Sequence, residues 1–264
     1  MSDGAGRKFS WTVDDVETPG EDKARDGKRG VHRQEIVNEA QRQFLLVLTH
    51  EMRTPLSAIL LWTKLLRRGP VDAKELQEGL QAIQDSAEEQ RMLLDGLFEM
   101  ANVASGRVRL KPQSTRLATV VRGAIEEVSP TATSRGIELR TSLSSDVGSA
   151  MVDYDLFKRA LAILISNAIA FCHVPGQVGV DLARNSDTIE IRITDSGRTI
   201  TAAGLAHLFD PLIEAHAVSI PTVARVRLSI AKELIALHAG TVQAHGHGRG
   251  VTFVVRVPQT NIKR

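Results

Sequence analysis

The chain has very little cysteine, very little net charge and no long apolar run. Cys172 is the single cysteine in 264 residues. No intramolecular disulfide is therefore possible, and a reducing cytoplasm is the setting that fits best. The formal net charge is +2 at pH 7, which leaves nothing to argue for a nucleic-acid footprint. No apolar stretch approaches the roughly 18 residues that a membrane span needs. No apolar segment follows the charges near the N-terminus, so neither a membrane span nor a secretory leader is expected. What the chain does have is 42% hydrophobic residues, enough to build one large domain or two small ones with proper cores.

Residues 1–30 are polar, and Gly20, Gly27 and Gly30 interrupt any periodicity. They read as a mobile tail. Residues 31–68 carry a helical stripe through Ile36, Ala40, Phe44, Val47 and Leu48, continuing through Leu56, Ile59, Leu60, Leu65 and Leu66. Gly69-Pro70-Val71-Asp72 breaks the pattern, with Asp72 as the expected N-cap of a second helix over 73–103. Two long helices and a short turn make an antiparallel hairpin. Its apolar stripe is too wide to leave wet, so a homodimeric four-helix bundle is the simple solution.

Residues 104–107 read as a linker, and the remainder, 107–258, alternates between strand and helix patterns. Strands are predicted over 107–111, 137–143, 178–182, 189–194, 241–245 and 251–257, and helices over 117–133, 155–171 and 226–238. The fold class is α+β: a helical hairpin followed by a two-layer α/β sandwich. His245 and His247, among Gly246, Gly248 and Gly250, invite a metal reading, but a hairpin turn accounts for them better.

The chemistry concentrates in Thr49-His50-Glu51-Met52-Arg53-Thr54-Pro55-Leu56. One helical turn separates His50 from Thr54, so both project from one face. Pro55 cannot donate to the Glu51 carbonyl and crowds it, which is expected to kink the helix and free an acceptor beside His50. A neutral imidazole offers a free lone pair near pH 7, and Glu51 can accept a hydrogen bond from the other ring nitrogen. This stretch resembles the phosphoacceptor box of two-component sensor histidine kinases, in the order His-Glu-x-x-Thr-Pro-Leu. The resemblance implies that His50 carries phosphate and that Thr54 positions water for dephosphorylating a partner regulator.

The resemblance extends over residues 31–258, into a catalytic ATP-binding domain. Ile165-Ser166-Asn167-Ala168 looks like the asparagine box, Ile193-Thr194-Asp195-Ser196-Gly197 like the first glycine box, and Leu208-Phe209-Asp210-Pro211-Leu212 like the phenylalanine box. It implies that the amide oxygen of Asn167 meets magnesium, that Asp195 takes the adenine amino proton, and that Gly197 gives adenine its close approach. The pattern is broken elsewhere. An earlier asparagine is replaced by Ile163, a basic residue by Ala170, and the second Gly of the first box by Thr199. The second glycine box, Gly-x-Gly-x-Gly, is Val223-Ala224-Arg225-Val226-Arg227. Val223 is β-branched and adopts φ > 0 only at a cost. Arg225 and Arg227 read either as phosphate partners near a helix start or as a solvated face, with the solvated face preferred.

These departures set the functional expectation. The resemblance implies a two-component signalling protein that moves phosphoryl groups through His50 to or from response-regulator aspartates, as a histidine phosphotransferase or a protein histidine kinase. Mg-ATP binding is expected to be weakened or lost. The partners implied are a response-regulator receiver domain, a second copy of the chain and an upstream kinase. One alternative is an active ATP-dependent kinase with an unusual lid. The other is a non-catalytic dimeric regulator of a signalling partner.

Overall fold

The computed structural model describes residue 49 and residues 51–104, 108–144, 147–210 and 220–260. The expectations placed on 1–48, on His50 and on 105–107 lie outside the described residues.

Helix α1 covers 51–66 and continues through Pro55. The break at 69–72 follows, and α2 runs Ala73–Ala104. The expected cap is in place: Asp72 Oδ1 accepts from the Glu75 N–H at 2.7 Å. The two helices close on each other at Gly79, where a Cβ would stand 2.9 Å from Trp62 Cε3. The outer surface of the hairpin remains apolar. Leu56, Leu60, Leu61, Leu80, Leu94 and Phe98 are all exposed, Phe98 by 72%.

The second part comprises β1 (Gln113–Arg116), α3 (Leu117–Ser134), β2 (Ile137–Leu143), β3 (Ser149–Val152), α4 (Tyr154–Phe171), β4 (Gly176–Asn185), β5 (Thr188–Asp195), α5 (Ala202–Ala206), α6 (Thr222–Leu237), β6 (Thr241–His247) and β7 (Gly250–Pro258). Five strands form a sheet in the order β2-β4-β5-β7-β6. Only the β2–β4 pair is parallel; the others are antiparallel. β5 shows why these residues make a strand. Ile189, Ile191 and Ile193 are fully buried on one face; on the other, Arg192 is exposed and Glu190 is covered through its ion pairs with Arg192 and Arg256, a period-two arrangement of apolar and charged faces. Helices α3, α4 and α6 cover the apolar face with Val120, Val121, Phe157, Leu161, Ile165 and Leu234, all fully buried. The result is the expected two-layer sandwich.

Several details differ from the sequence reading, among them strand β3 (Ser149–Val152), which was not anticipated. The strand predicted at 107–111 is absent from the described part of that range; the neighbouring Gln113–Arg116 pairs with Ser149–Val152 instead. The short helix α5 was not anticipated. Helix α6 begins at Thr222 rather than 226. With Val223, Arg225 and Arg227 where glycines were expected, nothing interrupts the helix, and it propagates back to Pro221, whose carbonyl accepts from the Arg225 N–H at 3.2 Å. The His245–His247 region is the β6–β7 hairpin, and no cluster suited to a metal occurs among the described residues. No described helix is long and apolar enough to cross a membrane.

Candidate functional site

Helix α1 carries the remainder of the histidine motif. Glu51 is half-buried, Arg53 and Thr54 are exposed, and Pro55 is buried. Glu51 and Thr54 stand one turn apart on α1, so the helix presents them together. His50, the residue between Thr49 and Glu51, lies outside the described residues.

The second candidate site is built where α4, β5 and the β6–β7 hairpin meet. Asp153 caps α4: Oδ1 accepts from the Leu156 N–H at 3.2 Å, and Oδ2 accepts from the Lys111 N–H at 3.0 Å. Four turns later α4 presents Asn167, 8% exposed. β5 ends at Asp195, 3% exposed. Its Oδ1 accepts from the Gly197 N–H at 2.8 Å and its Oδ2 from the Val251 N–H at 3.2 Å. Burial pushes the Asp195 carboxyl above the usual carboxylate range, against the pull of these two N–H groups and of His247. Gly197 is needed for a close approach, but to the protein itself: a Cβ there would stand 2.1 Å from the Phe171 carbonyl oxygen.

Asn167 and Asp195 therefore line one slot, together with Phe171, Ile200, Leu208, Val251 and Phe253, and the slot encloses about 10 Å³. That is about the space of one water molecule. Leu208 and Phe253 are 2% and 3% exposed. Phe209 packs edge-to-face on Phe253 with centroids 6.2 Å apart, and Lys232 Nζ lies 6.0 Å from its ring centre. Beyond the slot, Ile163 and Ala170 line an open cleft of about 790 Å³ bounded by α2, α3, α4 and α6. The two positions where the resemblance expects metal and phosphate partners thus offer the cleft an aliphatic chain and a methyl group.

The solvated reading of Arg225 is overturned. Its side chain is fully buried, with Nη1 donating to the Asp210 carbonyl at 3.1 Å and Nη2 donating to Thr222 Oγ1 at 3.0 Å. Arg227 is half-buried, and its Nη1 lies 3.7 Å from Met92 Sδ on α2. Sequence reasoning also missed the Val251 N–H and the walls supplied by Ile200 and Phe253. Val251 and Phe253 come from a segment far from Asp195 in the chain, and only the fold reveals their position.

Two family models match this architecture in order. The His Kinase A (phospho-acceptor) domain matches residues 40–106, and the histidine kinase-, DNA gyrase B- and HSP90-like ATPase matches residues 152–261. With the hairpin and the sandwich both accounted for, the chain belongs to the two-component histidine kinase family. Among curated relatives, it is 28% identical over 233 residues to an uncharacterized sensor-like histidine kinase of Rhizobium meliloti, covering 85% of this chain and 44% of the relative. It is 29% identical over 241 residues to the non-motile and phage-resistance protein of Caulobacter vibrioides, covering 87% of this chain and 28% of that protein. The chain therefore spans less than half the length of these relatives. Among solved structures it resembles histidine kinase ThkA in complex with response regulator protein TrrA, with a TM-score of 0.71 and 19% identity over 96% of this chain and 70% of that one. It also resembles Acinetobacter baumannii histidine kinase AdeS, with a TM-score of 0.60 and 19% identity over 80% of this chain and 98% of that one. At this identity the structural likeness concerns the fold.

Proposed function

We propose that this histidine kinase-like protein passes phosphoryl groups through His50 to or from the aspartates of response regulators, and that its ATP-binding domain holds Mg-ATP weakly or not at all. The observation that carries the reading is the slot beside Asp195. At about 10 Å³ it has no room for a purine, and the box that should wrap the phosphates is helical from Thr222 onward. From Arg225 onward its N–H groups enter helical hydrogen bonds instead of turning toward a ligand. Asn167 remains as a magnesium partner, but Ile163 and Ala170 provide no second one, so the residues present do not fit Mg-ATP.

The phosphoacceptor half is intact in sequence. The His50 imidazole is the nucleophile, Glu51 accepts from its other ring nitrogen, and Thr54 orients water for hydrolysis of the regulator's aspartyl phosphate. Phosphoryl transfer of this kind relies on positioning more than on covalent chemistry by the protein. The regulator contributes the aspartate and its magnesium. A receiver domain as partner is supported by the fold neighbour ThkA, whose structure is a complex with a response regulator. The exposed leucines and Phe98 of the hairpin support a homodimer, since an apolar surface of this extent calls for a cover.

The deciding experiment incubates the full chain with γ-labelled ATP and Mg²⁺. The expected result is no label on the chain; stoichiometric label on His50 overturns the second half of the proposal. A working kinase with an unusual lid is the second reading. It is favoured by the presence of Asp195 and Gly197 at the positions for adenine and of Asn167 at the position for magnesium.

A further inference from the structure

Arginine stands at 225 where the family pattern has glycine, and its side chain is fully buried. A buried guanidinium persists only where acceptors meet its donors. Nη2 donates to Thr222 Oγ1 at 3.0 Å, and Nη1 donates to the Asp210 carbonyl at 3.1 Å. The first bond stays within α6 and aims the guanidinium. The second leaves the helix and ties down the end of the segment that walls the slot.

That segment can transmit the tie, because it is wound tightly from Thr201 to Asp210. The Leu205 N–H donates to the Thr201 carbonyl at 2.9 Å, His207 to Gly204 at 3.3 Å, Leu208 to Leu205 at 3.3 Å and Asp210 to His207 at 3.0 Å. Fixing the Asp210 carbonyl therefore fixes Leu208, two residues earlier, whose side chain is 2% exposed in the slot wall. Phe209, between them, packs on Phe253 and meets Lys232 of α6, a second hold from the same helix. Helix α6 is itself anchored on α2. Gly96 is buried, and a Cβ on it would stand 2.9 Å from Val226 Cγ1 and 3.5 Å from Ile230 Cδ1.

We infer that Arg225 is a latch: from the first turn of α6 it holds the Leu208–Asp210 segment down, so that Leu208 and Phe253 keep the space beside Asp195 that an adenine would need. The latch deepens the weak-nucleotide reading given above and rests on it. The slot then has a shut and an open state, and a purine binds the open one. Its apparent dissociation constant is the intrinsic value divided by the open fraction. A hydrogen bond from a charged donor is worth a factor of about 10–100 in such an equilibrium. Glycine at 225 would carry no such bond. One substitution thus alters the phosphate end of the site and bolts its purine end.

The test uses the full chain as wild type, Arg225→Met, Arg225→Lys and Thr222→Val. Amide hydrogen exchange over 202–210 reads the opening. Titration with adenosine, followed by ligand-observed NMR, reads the purine end alone; adenosine has no phosphate, so the helical start of α6 cannot mask a gain. Arg225→Met is expected to speed exchange over 202–210 by about 10–100-fold with β4 and β5 unchanged. It is expected to tighten adenosine by the same factor, since both read one opening equilibrium. Arg225→Lys, whose ammonium cannot fork to both acceptors, lies between. Should Arg225→Met fail to fold, Thr222→Val removes the acceptor that aims the guanidinium at nearly constant shape and gives both changes at about threefold. Unchanged exchange over 202–210, or faster exchange with no gain for adenosine, overturns the latch. Weaker adenosine binding in Arg225→Met makes the arginine a ligand group and overturns it as well. A wild type that binds Mg-ATP in the micromolar range removes the weak-nucleotide reading and the latch together. A wild type that binds no Mg-ATP, beside variants that behave like it, removes the latch alone.

Discussion

Adding Mg-ATP should leave the stability of this chain almost unchanged, and the expected size of the effect can be worked from the slot. Seating an adenine requires Leu208 and Phe253 to leave positions where they are 2% and 3% exposed. At about 1.5–3 kcal/mol per side chain, that costs about 3–6 kcal/mol. The N–H groups of Arg225 and Arg227, committed to the helix, forgo two charge-assisted hydrogen bonds to phosphate at about 1.5–3 kcal/mol each, another 3–6 or so. Together, about 6–12 kcal/mol removes at least four orders of magnitude of affinity, enough to carry a micromolar site beyond millimolar. With about 1 mM nucleotide, a dissociation constant at or above about 1 mM stabilises by no more than about 0.4 kcal/mol, whereas a site of about 10 μM gives about 2.7 kcal/mol. A chain of this size moves about 2–4 °C in melting point per kcal/mol. The account therefore expects a shift under about 2 °C in a thermal melt with Mg-ATP, followed by circular dichroism. A shift of about 5 °C or more refutes it.

Gly197→Ala should lower stability by about 1–3 kcal/mol through overpacking, because its Cβ would stand 2.1 Å from the Phe171 carbonyl oxygen; an unchanged urea midpoint would count against this packing. His238 is buried, with Nδ1 2.6 Å from the Leu234 carbonyl, its ring edge-on to Phe157 and no partner at Nε2. Burial pushes its pKa down, against the Leu234 carbonyl and Asp153. The folded state therefore binds fewer protons than the unfolded one, whose imidazole titrates near about 6.5, so stability is full above that pH and falls as pH drops toward the folded value. Urea unfolding at pH 7.5 and 5.5 should show the loss, and His238→Gln should flatten it; parallel wild-type and variant profiles would contradict this. Replacing the exposed Leu80 and Phe98 by serine should dissociate a dimer at concentrations where the wild type is paired, read by sedimentation, and an unchanged association constant would remove the hairpin surface from the interface.

The hairpin and the sandwich were legible because local signals agreed with the global fold. Asp72 read as a cap and acts as one. Residues 189–194 read as a strand and lie in β5. β1 escaped notice because Gln113-Ser114-Thr115-Arg116 has no apolar alternation and exists only through its pairing with a distant segment. The site was half legible. Asn167 and Asp195 were located by motif, and the fold brings them to one slot. The closure of that slot was not readable, since Ile200, Leu208, Val251 and Phe253 converge only in three dimensions. Arg225 was misread because arginine is almost never fully buried. What buries it is a helix that starts early for want of glycines, packed on α2 through the smallest residue available, Gly96.

The central claim is that phosphate travels through one imidazole. It is tested most directly by mixing the full chain with receiver domains carrying labelled aspartyl phosphate and assaying the chain for acid-labile label, beside a His50→Gln variant. The account predicts label on the wild type and none on the variant. Equal label on both, or a wild type that takes phosphate from ATP but from no receiver, contradicts it.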